Sequence, residues 1–370
     1  MSDGRTELLI VGGFLGSGKT TAIAGLARRL SEAGLKTGIV TNDQGSDLVD
    51  TAFLAREGLS VLEVTGGCFC CNFDEFTNRL SDLAATGRPD IILAEPVGSC
   101  TDLVATIFKP IQHRFTAEFR LRPLTVLADP ARVRKLLQQA EGSGYPTEVN
   151  YLFEKQLEEA DIIAISKIDT LAADERARLA SFLGERFPGR EIRAFSAVTG
   201  EGFAGWVGML MNETERSGGR ILRDIDYERY GAAEASLGWL NSRTLVKSRE
   251  PGDFRTIVTA IMNGVDRALE PGTGEIAHLK VYAIADGDFT KASLVERGGT
   301  PRFERAMEKP AREALLLINA RVTADPDHLR KLVDHAVGEV AREFSLDVSD
   351  GKTESFRPGF PKPSYRYPSI

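Results

Sequence analysis

The run Gly13-Phe14-Leu15-Gly16-Ser17-Gly18-Lys19-Thr20 constrains the fold of this chain more than any other stretch. It satisfies G-x-x-x-x-G-K-[ST] through Gly13, Gly18, Lys19 and Thr20. It lies between an apolar run, Leu8-Leu9-Ile10-Val11, and a helical pattern from Lys19 to Ala33. Backbone N–H groups must curl around phosphate oxygens here, and glycine permits that without Cβ clashes. The helix start adds a dipole that favours an anion. In this geometry Lys19 reaches the β- and γ-phosphates of a nucleoside triphosphate, and the Thr20 hydroxyl ligates Mg2+. The loop therefore predicts an α/β fold: a P-loop NTPase parallel sheet with helices on both faces.

A second motif follows. Cys68-Phe69-Cys70-Cys71 places three thiols close together, and thiolates are soft ligands suited to Zn2+. Adjacent Cys70 and Cys71 point to opposite sides of an extended chain, so a shared ion requires a tight turn. Gly66-Gly67 leaves the backbone free to make one. Inert buried thiols or a redox sensor are the rival readings. Cys100 is either a further ligand or a small buried residue near a helix start, and the sequence leaves both open.

The 370 residues suggest two domains, and an apolar content of 42% with 27% charged residues permits a sizeable core. A net charge of −7 argues against nucleic acid as a partner. No apolar run approaches the ~20 residues of a membrane span. No basic signal region precedes the first strand, and four cysteines with three of them clustered do not form a secreted disulfide framework. A cytoplasmic protein with reduced thiols is expected, with no membrane partner.

Apolar runs alternate with amphipathic stretches through residues 1–210, the expected P-loop domain. Strands are predicted at Glu7–Val11, Lys36–Thr41, Ser60–Val64, Asp90–Ala94, Leu124–Ala128, Asp161–Ser166 and Glu191–Phe195. Helices are predicted at Lys19–Ala33, Asp74–Thr86, Pro130–Glu141, Glu148–Glu159 and Asp174–Phe187. Residues 211–235 are polar, contain Ser217-Gly218-Gly219, and are expected to be a linker. Residues 236–348 change rhythm toward a smaller α+β domain of the βαββαβ kind, with a hairpin closed near Asp286-Gly287-Asp288. Residues 349–370 hold four prolines and four aromatics and are expected to be an irregular tail, disordered or docked as a strap.

Four further segments fall where a P-loop GTPase needs them. Asn42-Asp43-Gln44-Gly45 follows the second strand and offers Asp43 as a switch carboxylate. Glu95 ends the fourth strand, where a carboxylate holds Mg2+ or its waters, and Gly98 can approach the γ-phosphate by its N–H. In Ser166-Lys167-Ile168-Asp169, Asp169 can accept from guanine N1 and N2 while the Lys167 stem stacks over the base. Backbone N–H groups around Ser196 and Ala197 can meet guanine O6. The expected nucleotide contacts are thus Gly13, Leu15, Gly16, Ser17, Gly18, Lys19, Thr20, Thr21, Gly98, Ser166, Lys167, Asp169, Ser196 and Ala197. Lys19, Asp43 and Glu95 are the expected catalytic groups, and Thr20, Asp43 and Glu95 the expected Mg2+ site.

Together, Gly12 to Thr21, the block Gly66-Gly67-Cys68-Phe69-Cys70-Cys71, Glu95-x-x-Gly98 and Ser166-Lys167-x-Asp169 resemble the CobW-type GTPases, relatives of the UreG and HypB metal-insertion GTPases. The likeness covers the N-terminal domain closely and the C-terminal domain in size and pattern only. It implies Mg2+-dependent GTP hydrolysis, zinc or cobalt bound through Cys68, Cys70 and Cys71, delivery to a client metalloenzyme, and nucleotide-linked homodimers in related members. Three departures stand out. Ser166 replaces the Asn that ties the base loop to the phosphate loop. Asp43 replaces Glu. The four histidines, His113, His278, His328 and His335, are separate rather than clustered, which argues against metal storage.

Asp43 and the thiols lie between the phosphate loop and Glu95, where γ-phosphate contacts order switch loops. Two functions compete: a metallochaperone that releases its ion on GTP hydrolysis, and a G-protein chaperone gating cofactor loading or reactivation of a corrinoid-dependent enzyme. No residue stands out as the base that positions water, so slow intrinsic hydrolysis is expected. A metabolic kinase is a third reading that gives the thiols no role.

Overall fold

The computed structural model describes residues 4–42, 54, 59–64, 67–140, 147–212, 218–269, 274–349 and 351–367, which fall into two compact units. One takes the residues up to Ala233 together with those from Pro361. The other takes those from Glu234 to Phe360.

The first unit is built on parallel strands: β1 (Thr6–Gly13), β2 (Thr37–Asn42), β3 (Val61–Val64), β4 (Ile91–Glu95), β5 (Phe119–Leu121), β6 (Thr125–Ala128), β7 (Ile162–Ile165) and β8 (Glu191–Ala194). Their order is β3-β2-β4-β1-β6-β7-β8, with β5 also paired to β1. Glu7 lies opposite Ile91, and Val11 opposite Thr125. Leu8–Val11, Ile91–Ala94 and Ile162–Ile165 are buried at every position, as in strands covered on both faces. The intervening helices are Lys19–Glu32, Phe73–Gly87, Pro130–Ala140, Thr147–Glu159, Ala173–Arg186 and Phe203–Asn212. The α/β architecture expected from the phosphate loop is what forms.

Strand order decides what meets at the carboxyl edge. β1 is central, so its phosphate loop has the ends of β6, β7 and β8 on one side and those of β4, β2 and β3 on the other. The segments expected to meet the base follow β7 and β8. The thiol segment follows β3.

The second unit is an antiparallel sheet of β9 (Gly238–Gly252), β10 (Ile276–Ala285), β11 (Asp288–Leu294), β12 (Arg302–Arg305), β13 (Ala311–Val322), β14 (Leu346–Val348) and β15 (Lys352–Phe356). The order is β12-β11-β10-β13-β9-β14, with β15 also on β9. The helices Phe254–Ala268 and Pro326–Glu343 pack on the face that alternation gives to Leu279, Val281, Ala283, Leu316, Ile318 and Ala320. The predicted hairpin pairs Ala285 with Asp288 through Asp286 and Gly287, both at positive φ, as a two-residue turn requires.

Several segments differ from the sequence reading. Residues 211–235 are not all linker: they hold the helix Tyr227–Ala235, anchored by buried Tyr230 and Ala233. Nor is 349–370 wholly irregular, because β15 adds to β9, with Lys352 opposite Arg243 and Phe356 opposite Trp239. A π-helical turn, Val104–Phe108, runs into the helix Lys109–Arg114. All five residues of the π-helical turn are buried, so they show no amphipathic period to detect. Among the described residues, no helix is long and apolar enough to cross a membrane.

Candidate nucleotide and metal site

The phosphate loop is closed by backbone geometry that excludes side chains. Gly13 has φ +133°, and a Cβ there would lie 2.6 Å from the Leu127 carbonyl oxygen. Gly16 and Gly18 also have positive φ, and Gly18 leads directly into the helix at Lys19. Leu15 and Ser17 are buried, and Thr21 is half-buried in the first helical turn. Lys19 folds back, its Nζ donating to the Gly13 carbonyl at 2.9 Å. Ser17 Oγ is buried with no hydrogen-bond partner among the described residues. A buried hydroxyl in a glycine-lined cradle beside a lysine fits an oxyanion ligand.

The Thr20 hydroxyl donates to Glu95 Oε1 at 3.0 Å, and both residues are buried. The two groups expected to share Mg2+ therefore meet, and a hydroxyl beside a carboxylate is a hard oxygen donor set that suits this ion. Gly98 packs directly on the phosphate loop: a Cβ there would lie 2.9 Å from the Leu15 nitrogen. Asp43, the third expected Mg2+ group, lies outside the described residues.

On the other side of β1 the base loops converge, and the Ile168 N–H donates to the Phe195 carbonyl. Ser166 is buried, with its hydroxyl 3.4 Å from the Ala128 carbonyl on its own side of the sheet. Lys167 makes the tie to the phosphate loop. Held at φ +54°, it sends Nζ to the Gly16 carbonyl at 2.6 Å and to Asp129 Oδ2 at 2.8 Å. Burial opposes ionisation of Asp129, but the Lys167 ammonium, with the Ala131 N–H and Arg132, outweighs it and holds the carboxyl below its ordinary value. Asp169 is exposed in a 3-10 turn, where its carboxylate can face a base. Ser196 Oγ accepts from the N–H groups of Val198 and Thr199, closing its own turn next to half-buried Ala197.

The thiols form a cluster. Cys68 Sγ lies 3.0 Å from both Cys70 Sγ and Cys71 Sγ, and the last two are 3.9 Å apart. The tight turn that adjacency of Cys70 and Cys71 demands is present: the Cys71 and Asn72 N–H groups both donate to the Cys68 carbonyl, and a helix begins at Phe73. Cys68, Cys70 and Cys71 form one group whose sulfurs all lie within 4.8 Å of one another, and Cys100 is buried beside Cys68 and Cys70 without completing that group. Hydrogen bonds from Cys100, Cys70 and Cys71 pull the Cys68 thiol well below its ordinary value. The same contacts push Cys70 well up, and Cys68 leads in pushing Cys71 to about 11. Sulfurs around a tetrahedral zinc stand ~3.8 Å apart for Zn–S bonds of ~2.3 Å. The Cys70–Cys71 separation already fits, and the two shorter ones need to open by ~0.8 Å. The donor set suits a soft or borderline cation.

Two residues to which the sequence reading assigns no role shape this region. Asn42, at the end of β2, donates to the Val64 and Gly67 carbonyls at 3.0 and 2.7 Å and accepts from the Phe69 N–H at 2.8 Å. Gln156 donates to the carbonyls of Gly98 and Cys100 at 3.0 and 2.8 Å. Both carry neutral amides that match no metal or nucleotide motif. The sequence carries no signal that marks them: Gln156 lies among Glu154, Lys155, Glu158 and Glu159, and Asn42 is followed by Asp43 and Gln44.

Comparison with known proteins agrees with this geometry. The family model described as CobW/HypB/UreG, nucleotide-binding domain, matches residues 7–191. The zinc chaperone YeiR of Escherichia coli (strain K12) is 33% identical over 178 residues, covering 47% of this chain and 50% of that protein. The zinc chaperone CobW of Sinorhizobium sp is 28% identical over 191 residues, covering 46% and 53%. The chain thus spans about half the length of these curated relatives. Among solved structures, HypB from Helicobacter pylori in complex with nickel covers 59% of this chain and 90% of its own at 19% identity, with a TM-score of 0.42. A likeness at that level adds nothing to the topology described above.

Proposed function

This chain belongs to the CobW/HypB/UreG family, and on that premise we propose that it is a Mg2+-dependent GTP hydrolase that binds zinc or cobalt through its thiols and passes the ion to a client protein. The observation that carries this reading is the segment from Glu95 to Cys100. Its first residue holds the Thr20 hydroxyl, its Gly98 lies against Leu15 of the phosphate loop, and its Cys100 is buried beside Cys68 and Cys70 of the thiol cluster. Six residues connect the two chemistries.

Lys19 and the glycine-lined N–H groups would hold the β- and γ-phosphates, and Asp169 would accept from the guanine edge. Thr20 and Glu95, with Asp43, would hold Mg2+, which when bound neutralises phosphate charge. The Gly98 N–H would sense a γ-phosphate. A shift there moves Cys100, two residues on, and with it the sulfur geometry. In the cytoplasm, reduced thiols would keep the site competent. The named relatives are zinc chaperones, which favours zinc as the cargo, and completion of the site by a client or a second copy accounts for slow intrinsic turnover.

The test is zinc and cobalt binding with GDP and with a non-hydrolysable GTP analogue, on the full chain and on Cys70→Ser. One ion bound per chain, with an affinity that changes with nucleotide and is lost in the variant, supports the proposal. Equal zinc affinity in both nucleotide states overturns the coupling. Nucleotide binding without a thiol-dependent ion overturns the carrier and favours a gatekeeper for a corrinoid-dependent enzyme.

A further inference from the structure

Residues 361–367 belong to the same unit as the thiols, far from them in sequence. They have no regular secondary structure, and Pro361 and Pro363 favour an extended backbone. The Lys362 N–H donates to Cys71 Sγ at 3.3 Å, and the Ser364 N–H and hydroxyl donate to the carbonyls of Cys70 and Cys71 at 2.8 and 3.0 Å. The strap thus lies directly on the two C-terminal thiol residues.

It is fastened just beyond. Arg366 Nε donates to Asp102 Oδ2 at 2.6 Å, and the Tyr227 hydroxyl donates to the same oxygen at 2.8 Å. Asp102 is fully buried, sits at φ +66°, and is two residues past Cys100. Tyr365 packs edge-on against Phe73, with the Arg114 guanidinium over its ring at 4.4 Å, and Tyr367 stacks on His113.

The asymmetry of burial is informative. Cys68, Cys70 and Cys100 are almost wholly buried, so an ion cannot reach them without movement. The strap's own side chains from Lys362 to Tyr367 are exposed or half-exposed, and no ladder holds its backbone. A segment with few buried apolar contacts opens at much lower free energy than the fold around it. We propose that residues 361–367 are a displaceable cover on the thiol cluster, fastened through Arg366 to Asp102 on the segment that begins at the nucleotide site, and that the metal ion enters and leaves when this cover lifts. The metal step rests on the function proposed above; the cover itself does not.

The experiment uses the full, reduced, metal-free chain and follows alkylation of each cysteine by iodoacetamide with peptide mass spectrometry, for wild type, Arg366→Ala and Tyr365→Ala. Cys70 and Cys71 are expected to react about tenfold faster or more in either variant, with melting temperatures near wild type. In zinc-loaded protein, loss of zinc to a chelator should accelerate by a similar factor. Rates within about twofold of wild type in both variants overturn the proposal. So does acceleration confined to Arg366→Ala with a lowered melting temperature, since that reports an unpaired buried Asp102 rather than an opened cover. A chain that binds no zinc defeats the proposed function, while the alkylation rates still decide the cover.

Discussion

The side-chain oxygen of Asn42 accepts the Phe69 N–H at 2.8 Å, which joins the end of β2 to the middle of the thiol motif. With its two donations to Val64 and Gly67, Asn42 sets where the turn of Cys68–Cys71 begins. Asn42 precedes the expected switch acid Asp43 in sequence, so movement of that segment would reach the sulfurs through one side chain.

Asn42→Ala should therefore weaken zinc binding by roughly 10- to 100-fold, the usual effect of removing a residue that orients metal ligands. GDP affinity should change far less, because among the described residues the Asn42 side chain bonds to Val64, Gly67 and Phe69 rather than to the phosphate loop. Chelator competition and GDP titration on one preparation check this, and unchanged zinc affinity would exclude a positioning role.

Cys100 is a ligand or a bystander, and the two make different predictions. As a ligand, Cys100→Ser changes the intensity and position of the thiolate-to-metal absorption of the cobalt-loaded protein and weakens binding by about tenfold or more. As a bystander it leaves the spectrum unchanged. The contacts of Cys100 with Cys68 and Cys70 favour the first outcome.

Lys167→Ala should both loosen the nucleotide site and destabilise the fold, because it leaves the buried Asp129 carboxylate without its main partner. Breaking a buried pair from one side costs about 3–5 kcal/mol, and Asp129→Asn in the same background should recover part of it. Asp129 is held below its ordinary value of 3.8 in the folded chain. Its contribution is thus fully present above that value and is lost as pH falls through the depressed one. Denaturant unfolding at pH 7 and below pH ~4 should show the difference between wild type and Asp129→Asn shrinking in acid.

Glu159 gives the opposite slope. Burial first, and the nearby Asp102 charge second, push its carboxyl well above the ordinary 4.5, even though the Val104 N–H donates to it. The folded chain retains this proton longer than the unfolded chain, so stability declines as pH rises from ~4.5 toward the raised value. Glu159→Gln keeps an acceptor for Val104 and removes the titration. Melting temperatures at pH 5 and pH 8 should differ less in the variant than in wild type, and an equal difference in both would refute the assignment.

Local chemistry made much of this molecule legible. Apolar runs flanked by amphipathic stretches located seven of the parallel strands to within about two residues, the usual uncertainty of element ends. The runs after β1, β4, β7 and β8 carried recognisable nucleotide chemistry. Among the elements that escaped were the uniformly buried turn at Val104–Phe108, the short β5, β12 and β14, the helices Phe203–Asn212 and Tyr227–Ala235, and the strand β15 inside a proline-rich stretch.

Sequence by itself determined the phosphate loop, because only glycine tolerates the backbone of Gly13, and it determined that three thiols cluster, because four residues cannot separate them far. Tertiary structure alone decided that Cys100 lies beside them, that Lys167 rather than Ser166 ties the base loop to the phosphate loop, and that Lys362 and Ser364 reach Cys70 and Cys71. Each of these contacts links segments about 30 to nearly 300 residues apart. Sequence spacing carries no information on such distances; strand order and the packing of loops at the carboxyl edge of the sheet set them.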